Sequence, residues 1–62
     1  MDLNESLLNA ARNGSLSGVK TALENGANVN TKDNKGITSL MYASEEGYTE
    51  MVSLLKNAGA KE

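Results

Sequence analysis

At 62 residues the chain has room for one small domain, and a domain of this size buries only about 60% of the surface its unfolded form exposes. It has no Cys and no His, which excludes disulfides, zinc sites, thiol nucleophiles and every catalytic triad built on histidine. Six basic against eight acidic residues leave a net charge of −2 with no basic stripe, which argues against a nucleic-acid partner.

The core must be aliphatic, because there is no Trp or Phe and the only aromatic residues are Tyr42 and Tyr48. No apolar run approaches the roughly 18 residues of a membrane span, so no membrane association is expected. The opening "MDLNESLL" lacks the basic start and apolar centre of a signal peptide. The expected location is therefore cytoplasmic or otherwise intracellular, and the sequons at Asn4 and Asn13 are read as unused. With disulfides and metals excluded, self-association is the one supplement to a thin core that stays open.

In chain order, Leu3, Leu7, Ala10 and Ala11 recur at helical spacing, with Asn4 the expected N-cap and Gly14 the expected stop. Leu16, Val19, Ala22 and Leu23 form a second stripe, closed by Gly26. Asn13-Gly14 and Asn25-Gly26 are hairpin dipeptides by composition, but the residues before them are 3.6-periodic, so both are read as helix stops. Asn28 to Gly36 is polar and reads as an extended finger. Thr38 is placed to cap a third helix carrying Leu40, Met41 and Ala43 and ending at Gly47. Thr49 is the expected cap of a fourth, with Met51, Val52, Leu54, Leu55 and Ala58 before Gly59. Each helix is two or three turns long, too short to persist alone, so the four must hold each other.

The chain also repeats itself. Shifted by 33 residues, Ser6 falls on Ser39, Leu7 on Leu40, Ala10 on Ala43, Gly14 on Gly47, Val19 on Val52, Gly26 on Gly59 and Ala27 on Ala60. The coincidences sit at apolar and glycine positions, which set packing and chain reversal.

A unit of two short helices and a finger, with Thr38-Ser39-Leu40-Met41, "NGANVNTKDNKGIT" and "MVSLLKNAGA" at this period, resembles the ankyrin repeat. The resemblance runs from about Leu3 to the last residue. It implies an all-α solenoid in which two ankyrin-type helix-turn-helix repeats are joined by a β-hairpin-like finger. The chain is then a single domain, 1–62, with repeat 1 over about 3–35 and repeat 2 over about 36–62. Ser6-Leu7-Leu8 and Ser39-Leu40-Met41 stand where the family has Pro-Leu-His, so the hydrogen bonds that the histidine brings to neighbouring loops are missing. Asn9, Thr21 and Lys56 occupy positions where an internal repeat would carry Leu, which makes both copies resemble caps with a water-facing side.

Chemistry has little to work with. Glu45 and Glu46 are neighbours on a helix and point apart, and no glycine-rich phosphate loop is present. Read as a calcium loop with Gly36 at the invariant glycine, the finger would offer Thr31, Asp33 and Lys35 as ligands and Tyr42 in place of the final Glu, which is no cation site. No cofactor and no catalysis are expected. The resemblance instead implies protein recognition through the finger and the exposed side of the first helix of each repeat. By position these are Lys32, Asn34, Lys35 and Ile37 on the finger, Glu45, Glu46 and Tyr48 on the second repeat, and Arg12 and Asn13 on the first. Lysines on the finger and acids on the helices would orient a partner of complementary polarity. Asp33 is assigned to shaping the finger and Tyr42 to packing between repeats. The competing reading is a minimal or truncated two-repeat structural scaffold with no partner of its own.

Overall fold

Each apolar stripe becomes a helix in the computed structural model, which describes residues 2–61: α1 Leu3–Asn13, α2 Leu16–Glu24, α3 Ser39–Glu46 and α4 Thr49–Asn57. Helix α1 begins at Asp2, whose carboxylate accepts the Asn4 and Glu5 N–H groups at 3.0 and 3.3 Å. Asn4 is therefore not the cap: an anionic side chain just ahead of it takes the orphan donors at the positive end of the helix. The Asn4 amide oxygen instead accepts the Asn28 N–H at 2.7 Å, tying the start of the finger to α1. Ser15 caps α2 by accepting the Gly18 N–H at 3.2 Å, and Thr38 caps α3 by accepting the Met41 N–H at 3.2 Å. The expectation for Thr49 is corrected in the same way as that for Asn4. The Val52 N–H bonds to the Tyr48 carbonyl at 2.9 Å, so α4 is entered one residue early, and the Thr49 hydroxyl donates to the Gly47 carbonyl at 3.3 Å.

Helix α1 packs on α2 and α3 on α4; the two pairs stack through α1 against α3 and α2 against α4. Leu7, Ala11, Val19, Ala22, Leu40, Ala43, Met51 and Leu55 form one buried cluster across all four helices. Leu8, outside the expected stripe, is also buried, whereas Met41, inside it, is 47% exposed. Asn9, Thr21 and Lys56 are exposed. The connection from α2 to α3 contains no strand among the described residues; one isolated antiparallel bridge, Lys32 to Thr38, closes its base. Within it the Asp33 N–H bonds to the Ile37 carbonyl at 3.0 Å and the Gly36 N–H to the Asp33 carbonyl at 2.9 Å, so the finger is a tight turn rather than a ladder.

Two positions test how the pairs fit. Gly14 and Gly47 share a φ of +74°, yet a Cβ on Gly14 would lie 2.8 Å from the Tyr48 ring, whereas one on Gly47 would meet nothing within 4 Å. Gly47→Ala should cost about 1–2 kcal/mol, the strain of a left-handed alanine, and Gly14→Ala about 1 kcal/mol more for displacing Tyr48. Urea denaturation of both variants, with and without Tyr48→Ala, should show that excess vanish when the ring is removed. Ser39 is wholly buried at the first position of α3, and its hydroxyl has no hydrogen-bond partner. Ser39→Ala should raise stability by about 1 kcal/mol by removing a dehydrated hydroxyl; a lower urea midpoint would show that the hydroxyl has a partner after all.

Candidate functional site

The finger is built around Asp33. One carboxylate oxygen accepts the Lys35 N–H at 2.8 Å and the Ile37 N–H at 2.9 Å, closing the turn from inside. The other accepts the hydroxyl of Tyr42 on α3. The Tyr42 ring in turn carries the Arg12 guanidinium of α1, 5.7 Å from its centroid, and Arg12 also donates to the Asn9 side chain. Three segments distant in sequence thus meet at one phenol. The Tyr42 hydrogen bond, followed by the Ile37 N–H, holds the Asp33 carboxyl below its ordinary value, and the same bond to Asp33 pushes the Tyr42 phenol up.

A second tie runs along the roots of the finger. Asn30 donates its backbone N–H to the Asn28 side chain at 3.0 Å, and its own side chain grips the exit of α4. The Asn30 amide nitrogen donates to the Gly59 carbonyl at 3.3 Å, and its oxygen accepts the Lys61 N–H at 2.9 Å. These asparagines hold adjacent turns by side-chain hydrogen bonds in a chain without histidine.

With Asp33 turned inward, its neighbours turn outward. Lys32, Asn34 and Lys35 are exposed and line a cleft of about 320 Å³ between the finger and α1. Its other wall carries Asp2, Glu5 and Arg12, and Leu8, only 5% exposed, lies at its floor. The cleft has Lys32 and Lys35 with the hydrogen-bonded Asp33 on the finger side and the Asp2 and Glu5 carboxylates at the start of α1, with Arg12 shared between the cleft and Tyr42. Of the residues singled out from the sequence, it gathers Arg12, Lys32, Asn34 and Lys35. Ile37 is half-buried and lies outside it. Asn13 is exposed at the end of α1, and Glu45 and Glu46 at the end of α3. Tyr48 is half-buried over Gly14, beside Leu16 and Met51. Sequence reasoning missed Glu5 and Leu8. Their spacing with Arg12, three and then four residues, places all three on one face of α1 and was the available signal.

No group of three or more metal-binding side chains comes together among the described residues. None of the described helices is long and apolar enough to cross a membrane.

The Asp33–Tyr42 bond makes stability depend on pH from both sides. A lowered carboxyl contributes stability that is present above its ordinary value of 3.8 and lost as pH falls through the lowered one. A raised phenol contributes stability that is present below its ordinary value of 10.0 and lost as pH rises through the raised one. Thermal melts in acid, at neutrality and in alkali should therefore show Asp33→Asn less stable at neutrality and less sensitive to acid than the parent chain. Tyr42→Phe should be less sensitive to alkali. Parallel pH profiles for all three proteins would refute the coupling.

A family model described as "Ankyrin repeats (3 copies)" matches residues 3–62. Potassium channel AKT2/3 of Arabidopsis thaliana is 39% identical over 54 residues, which make up 87% of this chain and 7% of the channel. The chain thus corresponds to a small part of that relative's length.

Proposed function

The chain belongs to the ankyrin-repeat family, whose members are in general protein-interaction modules, and we propose that it binds a protein partner, without catalysis, through the cleft between finger and α1. The observation that carries this reading is the division of labour along the finger. Asp33 borders the cleft but its carboxylate is consumed by internal hydrogen bonds, while Lys32, Asn34 and Lys35 on either side of it line the cleft with side chains that close no turn. Side chains that do no work in the fold are available for a partner, and the turn that presents them is fixed from within. The charge pattern suits a partner segment that sets an acidic group against Lys32 and Lys35 and a basic one against Asp2 and Glu5. Such complementarity sets orientation and on-rate more than affinity. A nucleic acid suits it poorly, since carboxylates share the cleft with the lysines.

On this reading the finger, a tight turn closed by a single bridge, serves as the contact edge in place of a β-hairpin, Ile37 steadies its base, and residues 1–62 act as a single domain with the repeat boundary near 35/36. Glu45, Glu46, Tyr48 and Asn13 lie outside the cleft and extend the contact surface only for a large partner. An intracellular setting fits the absence of disulfides. The second reading, a structural two-repeat segment without a partner of its own, draws on the small share of the channel that the chain matches.

Replacing Lys32, Asn34 and Lys35 together by Glu, Ala and Glu should leave the far-ultraviolet circular dichroism spectrum unchanged, because none of the three side chains is needed to close the turn. The same change should remove the proteins captured by the parent chain. An unchanged set of captured proteins would move the contact surface away from the finger, and an empty set for the parent chain would favour the structural reading.

A further inference from the structure

Asn13-Gly14 and Asn25-Gly26 close their helices in the same way and meet different surroundings. Each glycine is left-handed, with φ +74° at Gly14 and +104° at Gly26. The same pair of main-chain bonds follows. Gly14 and Ser15 donate to the Ala11 and Ala10 carbonyls at 3.3 and 2.8 Å, and Gly26 and Ala27 to the Leu23 and Ala22 carbonyls at 3.1 and 3.0 Å. Asn13 and Asn25 are both exposed. An asparagine before glycine carries an electrophile next to a nucleophile, and glycine has no side chain to obstruct their approach. Once the glycine N–H is released and gives its proton to a base, its nitrogen attacks the asparagine Cγ. The bond from Cγ to the amide nitrogen breaks, ammonia leaves with the returned proton, and a five-membered imide remains. Water then opens the ring at either carbonyl. Opening at Cγ gives Asp, and opening at the main-chain carbonyl gives isoAsp, in which the chain runs through the side chain. Both sites must first release the same cap bonds, so reactivity follows how easily each helix end frays.

We propose that Asn25 is a site of spontaneous deamidation in the folded chain and that Tyr48 shields Asn13 from the same reaction. At the end of α1 the Tyr48 ring lies against Gly14, so close that a Cβ there would be 2.8 Å from it. Arg12, just before Asn13, is held over Tyr42, and Ser15, just after Gly14, caps α2. The peptide between Asn13 and Gly14 cannot turn without moving these groups. At the end of α2 a Cβ on Gly26 would meet nothing within 4 Å, and Glu24, Asn25 and Gly26 are all exposed. The side-chain bond that opposes opening there, from the Asn25 amide to the Thr21 carbonyl at 2.9 Å, is itself exposed and so worth little. The reaction destroys that bond. A carboxylate in place of the amide has no proton to donate, repels the Thr21 carbonyl and sits at the negative end of α2. The isoAsp product also lengthens the main chain between α2 and the finger. Asn25 does not line the finger cleft, so this proposal does not depend on the binding surface.

The test is to incubate the full chain at mildly alkaline pH, folded and in urea, and to digest samples with trypsin over time. Cleavage after Arg12, Lys20 and Lys32 leaves Asn13 in peptide 13–20 and Asn25 in peptide 21–32. Mass spectrometry with fragmentation then gives the conversion rate at each asparagine. Dividing each rate by its own value in urea removes the influence of flanking residues. Folding should slow Asn13 about tenfold more than Asn25. Tyr48→Ala should speed conversion at Asn13 and leave Asn25 unchanged. The aged chain and Asn25→Asp should both have a lower urea midpoint than the fresh parent chain. Protection of Asn25 equal to or greater than that of Asn13 would overturn the proposal, as would an Asn25 that converts in urea but not in the folded chain. An unchanged Asn13 rate in a folded Tyr48→Ala chain would remove the shielding role. If that variant does not fold, the comparison of the two sites in the parent chain still decides.

Discussion

Two short helical hairpins become one object because the Tyr42 hydroxyl reaches Asp33 while its ring carries Arg12. None of the four helices is long enough to be stable alone, and the shared cluster from Leu7 to Leu55 is aliphatic and small. Apolar packing is not directional, so it would tolerate small rotations of one pair against the other. The phenol removes that freedom. It fixes α3 to the finger through the carboxylate and to α1 through the guanidinium, and the finger is itself fastened to α1 by the Asn4–Asn28 bond. Arg12 gains twice from the arrangement, since its side chain stays in contact with water while its charge lies over an aromatic ring.

What could be read from the sequence follows from how local each cause is. Gly14 and Gly47 stop their helices because a left-handed residue is needed there and glycine adopts that conformation without strain, a requirement visible in one dipeptide. Thr38 caps α3 for an equally local reason. Asn4 and Thr49 fail as caps because a competitor sits one or two residues earlier. Asp2 wins by its charge, and Tyr48 wins through its carbonyl alone. Asp33 and Tyr42 were separately legible as a turn residue and a packing residue, but the bond between them needs α3 to stack against the finger, which no periodicity states. Leu8 and Met41 show the same limit from the other side. They hold equivalent positions in the repeat and differ in exposure only because the finger and the second helix pair cover one and nothing described covers the other.

The candidate site was partly legible for the same reason. Polarity and position marked Lys32, Asn34 and Lys35, because a finger must be polar to protrude. The opposing wall of the cleft, Asp2, Glu5 and Leu8, belongs to a helix read only for its buried stripe. Glu5, Leu8 and Arg12 share a face that borders that stripe, and their relevance appears only once the finger folds back over it.

Separating the groups that fold the finger from those that face outward has a consequence for how such a module can vary. Asp33 accepts three hydrogen bonds and so constrains residues 35, 37 and 42 at once. At Lys35 and Ile37 it takes the backbone N–H, leaving the side chain unspecified. Lys32 is fixed by its backbone bridge to Thr38, again without demand on its side chain. The turn can therefore keep its shape while the outward residues change, since the energy that holds it comes from one carboxylate and the main chain. At Tyr42 the constraint falls on the side chain itself, because no other residue of that reach offers both a hydroxyl for Asp33 and a ring for Arg12. Side chains at positions 32, 34 and 35 can change with little effect on stability, whereas a change at position 33 or 42 alters the stack itself.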